Sequence, residues 1–423
     1  MGSSSKPVLG FWFVRMLHFG VGLRVDEVVE IFAGGRTAWQ GSITASQKIW
    51  IAAKNLWGGE KGEGGVEGDV YVMMGEPDQP VNEYLRSRQG NRQSAFRNYL
   101  TLLFAGTKFG ALVPYLKPVG VRVRKHLRGW NGDAWYPEKA VILQQGGAVK
   151  AMNPAHIFYR SIVNLGTSQA PRGLIDDAMF RAAADYFHAN GVGLCVKHYG
   201  DETVAQLRER VARVSGCNFW QDRRDGLYKI QPVTAPYDIE SLPIVTMDDI
   251  ESIERPTINT GELINRLQVK WYDPVKRTER MTPPRTLLAG VRSAGRVIAD
   301  VADYPEIADP DLASRIRDRD LDARGKPMQQ FDLVLKSRRS DLDFGGLFRL
   351  QIPEEGIADM VCRIVDLDVG TLRNSLMTLS ALQERASLKS ASFVQPIPDP
   401  PAQDVTPRPA EFRQLAEVPY AVL

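Results

Sequence analysis

Asn153-Pro154-Ala155-His156-Ile157 begins the stretch that decides the fold, and Asp222-Arg223-Arg224-Asp225-Gly226 stands near its end. Asn at an N-cap followed by Pro at the first helical position is a strong helix start, and Ile157, Ser161 and Ile162 continue it. A second helix is expected over 175–189. Ile175, Met179, Ala182, Ala183, Tyr186 and Phe187 form its apolar face at spacings of three and four. Asp176 and Asp177 suit the positive end of its dipole, and Asn190-Gly191 supplies the stop. Val192 to His198 reads as a strand. Asp201 stands where it can cap a third helix that turns Val204, Leu207, Val211 and Val214 inward and ends at Gly216. A hairpin follows, Phe219 to Arg223 and Leu227 to Ile230, with Asp225-Gly226 at its turn. Together these elements make a compact α+β unit.

Both flanks read as β. On the N-terminal side, Pro7 to Phe19 is apolar apart from Arg15 and His18 and is expected to form a first buried strand. Leu23 to Phe32 alternates in part, and Gly34-Gly35 marks a turn before Thr37-Ala38-Trp39. Gly58 to Gly68 is dense in glycine and precedes the apolar run Val70-Tyr71-Val72-Met73-Met74. A phosphate-binding loop needs a Lys-Ser or Lys-Thr pair and a following helix, and neither is present. The stretch therefore reads as a hairpin connection, and its composition predicts a mobile or partner-ordered loop. Arg122-Val123-Arg124-Lys125-His126-Leu127-Arg128 is a short basic strand. A solvated strand face is the plain reading, and contact with nucleic acid or an acidic partner is the sharper one.

On the C-terminal side, 232–262 is acidic and contains prolines. Leu267 to Tyr272 alternates and Asp273-Pro274 turns it. Asp309-Pro310 opens a charged helix that runs to Arg324, and Gly325-Lys326-Pro327 closes it. Phe331 to Leu335, Leu347 to Ile352, Met360 to Val369 and Ser375 to Leu382 read as strands. Residues 396–408 have the proline content of a linker.

The chain has 423 residues, enough for several domains and for a core that needs no disulfide or metal. Its 53 basic and 50 acidic side chains leave a formal charge of +3, which excludes a strongly basic nucleic-acid binder but not a local patch. Cys195, Cys217 and Cys362 are too far apart for a CxxC pair or a four-cysteine zinc site, and three reduced thiols are expected. No run of 18 apolar residues predicts a transmembrane helix, and no secretory leader is expected. Lys6 stands where a myristoylation signal needs Ser or Thr.

Signatures of catalysis are missing. The histidines His18, His126, His156, His188 and His198 form neither HExxH nor HxH. No GxSxG occurs, and no GxGxxG follows a strand and opens a helix. His188 and His198 bracket the segment that carries Cys195, but satisfied or surface histidines explain them better than a metal or nucleophile site. Asp176-Asp177 is a carboxylate pair already explained by its place in a helix's first turn. The eight tryptophans suit core packing or subunit interfaces better than a sugar platform. No catalytic, cofactor-binding or metal-ligating residue is assigned.

The order of several segments carries a resemblance. Asn153–Ile157, Gly173-Leu174-Ile175-Asp176-Asp177, Phe180–Tyr186 and Asp222–Gly226 resemble the hub proteins at the tip of long-tailed bacteriophage tails and the related hubs of gene transfer agents. Trp57-Gly58-Gly59-Glu60-Lys61-Gly62-Glu63-Gly64-Gly65, Tyr115-Leu116-Lys117-Pro118 and Trp135-Tyr136-Pro137-Glu138-Lys139-Ala140 look like further segments of that family. So do Tyr304-Pro305-Glu306-Ile307, the helix Ala313–Arg324 and Gly356-Ile357-Ala358-Asp359-Met360-Val361. The resemblance spans nearly the whole chain.

It implies an α+β, β-rich chain in which two tail-tube-like β-barrel hub domains flank a smaller α+β domain. The expected division is a first hub domain at 1–152, an α+β insert at 153–235, a second hub domain at 236–395, and at 396–423 a linker with the start of a C-terminal continuation. The resemblance also implies a non-enzymatic virion protein, assembled in the host cytoplasm, that forms a homotrimeric hub at the distal end of the tail. Its implied partners are the tail tube and distal tail proteins, the tape measure protein, other tip or fibre proteins and the host cell surface, with no cofactor and no stable nucleic-acid complex. A tail-borne cell-wall hydrolase and a host-adhesion module are the alternatives.

Overall fold

The computed structural model describes residues 11–126, 135–163, 170–198, 200–222, 224–234, 237–256, 263–370 and 376–384. The proline-rich segment 396–408 lies outside them.

The first region holds strands β1 (Trp12–Leu23), β2 (Glu27–Ala33), β3 (Arg36–Ile43), β4 (Gln47–Ala53) and β5 (Val66–Met73), helix α1 (Glu83–Gln89), and strands β6 (Tyr99–Ala111) and β7 (Val119–Arg124). They form two antiparallel sheets, ordered β1-β6-β5-β4 and β3-β2-β7. Val28, Ile31 and Ile43 from one sheet meet Ile51, Val70, Val72, Leu102 and Phe104 from the other in one core. The two hydrogen-bonded ladders do not join into a closed barrel among the described strands. β1 is not the buried strand expected from its composition. It is a 12-residue sheet edge that turns only Leu17 and Phe19 toward this core. Gly58–Gly68 does connect two strands of a hairpin, β4 and β5. It is closed tightly by backbone bonds from Trp57 to Gly64, Glu63 to Trp57 and Gly64 to Gly59. Only glycine fits at position 65, where a Cβ would lie 2.1 Å from the Ala53 carbonyl oxygen.

The central elements are β8 (Val141–Gln144), β9 (Val149–Met152), α2 (Pro154–Val163), α3 (Asp177–Ala189), α4 (Val204–Ser215), β10 (Cys217–Gln221) and β11 (Tyr228–Pro232). The starts of α2 and α3 match the sequence reading. Asn153 Oδ1 accepts from the Ala155 N–H at 3.0 Å, and Asp176 Oδ1 accepts from the Met179 N–H at 3.0 Å. α4 is capped by Thr203 in a capping box with Gln206, not by Asp201. Val192–His198 is no strand. Leu194 exchanges two hydrogen bonds with Met152, and the Cys195 N–H then turns to the Glu306 carbonyl, so no ladder can grow.

The remaining strands and helices are β12 (Ile244–Thr246), β13 (Ile250–Glu254), β14 (Arg266–Asp273), β15 (Thr278–Met281), β16 (Arg285–Thr286), α5 (Leu288–Ala294), β17 (Ala299–Tyr304), α6 (Pro310–Arg324), β18 (Gln330–Leu335), β19 (Leu347–Ile352), β20 (Ile357–Asp368) and β21 (Met377–Gln383). The described residues within 236–395 feed two cores. β12-β19-β20-β21-β18-β13 form a six-stranded sheet whose core includes Phe331, Leu333, Phe348, Leu350, Ile364 and Leu379. β14, with β15 and β16 antiparallel to it and β17 parallel to it, packs elsewhere. Val269, Trp271 and Tyr304 from this sheet and Leu312, Ala313 and Ile316 from α6 share a core with Phe158, Phe180 and Phe187 of the central helices.

Arginines of α6 hold that union. Arg315 Nη1 donates to the Asn190 carbonyl at the end of α3, at 2.7 Å. Arg319, one turn on, donates to the Arg213 and Val214 carbonyls at the end of α4, both at 3.0 Å. Helix C-termini leave carbonyls without intrahelical donors, and a cation there also meets the negative end of the dipole. Gly216, at φ 68°, ends α4, and a Cβ there would stand 2.4 Å from Arg319 Nη1.

Candidate assembly surface

The long strand β1 forms one edge of the four-stranded sheet of the first region. In register with β6 it runs from Trp12 opposite Ala111 to Leu23 opposite Tyr99. Large apolar side chains crowd both ends of this ladder. Phe11 is 74 % exposed, Val14 64 % and Tyr115 80 % at one end, with Leu112 and Leu116 also exposed; Leu23 and Tyr99 are exposed at the other. The first group is locally held, because the Leu112 N–H bonds the Phe11 carbonyl at 3.1 Å and the Arg15 guanidinium reaches the Pro114 carbonyl. An edge that pairs with no second strand among the described residues, beside clustered apolar side chains, has the character of an interaction surface.

Several segments that carried the family resemblance prove to be joints. Glu63 of the glycine-dense loop forms an ion pair with Lys117, whose ammonium lies 5.6 Å from the centre of the Trp57 ring. The Gly34 N–H bonds the Pro118 carbonyl at 2.9 Å, so 57–65 and 115–118 meet at one corner of the first region. Trp135 stacks on Tyr159 at 4.5 Å and donates to Asp177 at 2.7 Å. Asp222 accepts from Arg224 and Lys229, and Arg224 continues to the Ser340 carbonyl and to Asp343. The Arg224 guanidinium holds the Asp222 carboxyl well below its usual range. This turn thereby links the β10–β11 hairpin to the loop before β19.

The considered chemical candidates are not assembled into a reactive site. Asp176 caps α3, and Asp177 is taken up by Trp135 and by Arg181 at 2.6 Å. His198 Nδ1 lies 3.1 Å from Glu202, while Cys195 packs against Val149, Ala151 and Ala308. Burial pushes the Cys195, Cys217 and Cys362 thiols up to about 12, far from thiolate chemistry. Two arginines of the basic strand are paired in place, Arg122 with Glu30 at 3.3 Å and Arg124 with Glu27 at 2.8 Å, while Leu127 and Arg128 lie outside the described residues. Among the described residues, no group of three or more His, Cys, Asp or Glu could hold a metal ion, and no helix is long and apolar enough to cross a membrane.

A cleft of about 780 Å³ lies between the start of α4 and the end of β17. Glu202 accepts from Arg210 Nε and Nη2 at 2.8 Å each, and the same guanidinium pairs with buried Glu306. Arg210 holds the Glu202 carboxyl below its ordinary value. With the guanidinium between them, neither carboxylate is poised as a general acid or base. No sequence spacing pointed to this network, because its members are scattered from 198 to 306.

No family profile and no curated protein matches the chain. A chain from the virion of a native gene transfer agent particle superposes with a TM-score of 0.58 at 13 % identity, over 90 % of this chain and 80 % of that one. The chain has the fold of that virion protein. A tail protein from Neisseria meningitidis MC58 aligns at a TM-score of only 0.32 and 11 % identity, over 85 % of this chain and 96 % of its own. The 43 kDa tail protein of prophage MuSo2 from Shewanella oneidensis gives 0.31 at 12 % identity, over 84 % of this chain and 97 % of its own. Scores that low carry no weight for the fold.

Proposed function

We propose that this protein is a structural component of a phage-like tail, forming a homotrimeric hub at its distal end. The carrying observation is the fold shared with a gene transfer agent virion chain across 90 % of the sequence. The outer edge of β1, unpaired among the described residues, and the apolar side chains at its ends support assembly with neighbouring chains. In this reading the two β-rich regions are tail-tube-like barrels that neighbouring subunits complete, and the tail tube, distal tail, tape measure and tip or fibre proteins are the partners. The protein acts by holding surfaces together and not by catalysis, consistent with carboxylates and thiols that are paired or kept protonated.

Imaging of purified particles carrying a labelled copy tests this. Three copies at the distal tip are expected. Six copies in a ring, or label spread along the tube, overturns the hub reading, and absence from the particle overturns the virion reading. Cell-wall turnover by the purified chain, abolished by a single Asp, Glu, His or Cys substitution, would instead establish an enzyme.

A further inference from the structure

The carboxylates of Asp201, Glu202, Glu209, Asp303 and Glu306 line the cleft of about 780 Å³ between the start of α4 and the end of β17. Two guanidiniums share the lining, Arg210 and Arg213. Arg210 is committed at every nitrogen. Its Nε and Nη2 donate to Glu202 at 2.8 Å each, Nη2 also donates to the Lys197 carbonyl at 3.0 Å, and Nη1 donates to Glu306 Oε1. His198 Nδ1 meets Glu202 at 3.1 Å, so both oxygens of Glu202 are engaged.

Glu306 is only half served. It is 2 % exposed, and its Oε2 has no hydrogen-bond partner. A buried carboxylate oxygen without a donor is costly, and with Arg210 already spent the donor has to come from another group. At the rim, Asp201 and Glu209 are exposed and join no ion pair among the described residues. Asp303 meets Lys270 at 3.7 Å, while the same ammonium lies 2.8 Å from Glu279. Asp201 precedes α4 and Glu209 stands in its second turn, so the rim charges spread over roughly 10 Å of helix axis. A single point charge does not span that distance, whereas an alkyl chain with an ammonium at each end does. Among the described residues no group of three or more His, Cys, Asp or Glu could hold a metal ion, so the cleft suits organic donors better than a bare cation.

We propose that this cleft binds a linear organic cation with two or more primary ammonium groups, one donating to Glu306 Oε2 and another held at the rim by Asp201, Glu209 or Asp303. An ammonium is a compact charge with three donors, and its bonds to carboxylates are of the strong, charge-assisted kind. A free polyamine and a pair of nearby lysines on a partner chain both offer this chemistry. Binding here does not depend on the hub role, so either reading can fail without the other.

Titration calorimetry on the full-length protein at neutral pH tests the site. The probes are spermidine and a blocked glycine peptide carrying two lysines, each compared with sodium chloride at equal ionic strength. One saturable site per chain is expected. Binding of spermidine alone identifies a free amine as the source, and binding of the peptide alone identifies a partner's lysines. Glu209→Gln and Asp303→Asn should each weaken binding about fivefold, and Glu306→Gln about tenfold. Arg213→Gln removes a competing cation and should tighten binding about twofold. Glu354→Gln, an exposed acid of another region, should change nothing. If Glu306→Gln does not fold, the two rim variants still decide. No saturable heat from either probe beyond the salt control overturns the proposal, and so does binding that Glu209→Gln and Asp303→Asn leave unchanged or that Glu354→Gln weakens equally.

Discussion

The first β-rich region and the central unit solve the same problem by different means. In the first, β5 and β6 bury side chains such as Val70, Val72, Leu102 and Phe104 between facing sheets and Met73 and Leu103 against Leu85 of α1, and the outer strand β1 is left half-covered. In the second, the apolar core is continuous across three helices and a distant sheet, and it is tied from outside by α6 through Arg315 and Arg319. One region leaves a strand edge and apolar side chains exposed. The other spends its polar groups on its own helix ends. The proposed role in a tail would use both, an interface that neighbours complete and a brace that does not change when they arrive.

The largest expected effect separates the two cores. Phe158 is fully buried and stacks on Phe219 with ring centres 4.8 Å apart. Phe158→Ala should cost roughly 3–5 kcal/mol through lost burial and the cavity left behind. Amide exchange followed by mass spectrometry should show protection lost in α2–α4 and α6 while β5 and β6 keep theirs. Equal loss in both places would mean that the two cores unfold as one, and the contrast would fail.

The helices were legible because their punctuation is local. Asn153-Pro154, Asp176, Gly216 and Asp309-Pro310 act within a few residues of themselves, and the structure uses all of them. β6 was not legible. Leu100 to Phe104 are all buried, so the alternation that marks a half-exposed strand is absent. β13 hid in acidic sequence because only Ile250 and Ile253 turn toward its sheet's core. The sharing of a core between 153–231 and 266–324 could not be read either, since its evidence is long-range: arginines of α6 meet carbonyls more than a hundred residues earlier. The joints behind the family-like segments were visible as words but not as contacts.

A second effect comes from pH. His156 is fully buried, and burial pushes its imidazole from 6.5 down to about 4. The unfolded chain therefore binds a proton that the folded protein refuses. Stability from this group is complete above about pH 6.5, falls as the pH drops, and is lost by about pH 4, a change near 3 kcal/mol. Denaturation in urea at a series of pH values should show this slope in the wild type and less of it in His156→Gln. An unchanged slope in the variant would assign the acid sensitivity to other groups, such as His126, which burial also lowers.

The smallest effect probes the brace itself. Arg319 donates to two carbonyls at the end of α4 and, through Nε, to Asp320 at 2.8 Å, while Asp320 accepts from the Tyr304 hydroxyl at 2.6 Å. Arg319→Met keeps much of the stem's packing and removes only the donors. Hydrogen bonds from a charged donor are worth about 1.5–3 kcal/mol each when buried, but carbonyls at a helix end can turn to water, so the net loss should be about 1–3 kcal/mol. The loss should concentrate in the last turn of α4, where the Gly216 N–H bonds the Ala212 carbonyl at 2.8 Å. Faster exchange at Gly216 with β1–β7 untouched would show that α6 braces the central unit alone. If exchange in the last turn of α4 stayed as in the wild type, the apolar contacts of Leu312 and Ile316 would suffice, and the contrast between a region held by burial and a region held by caps would disappear.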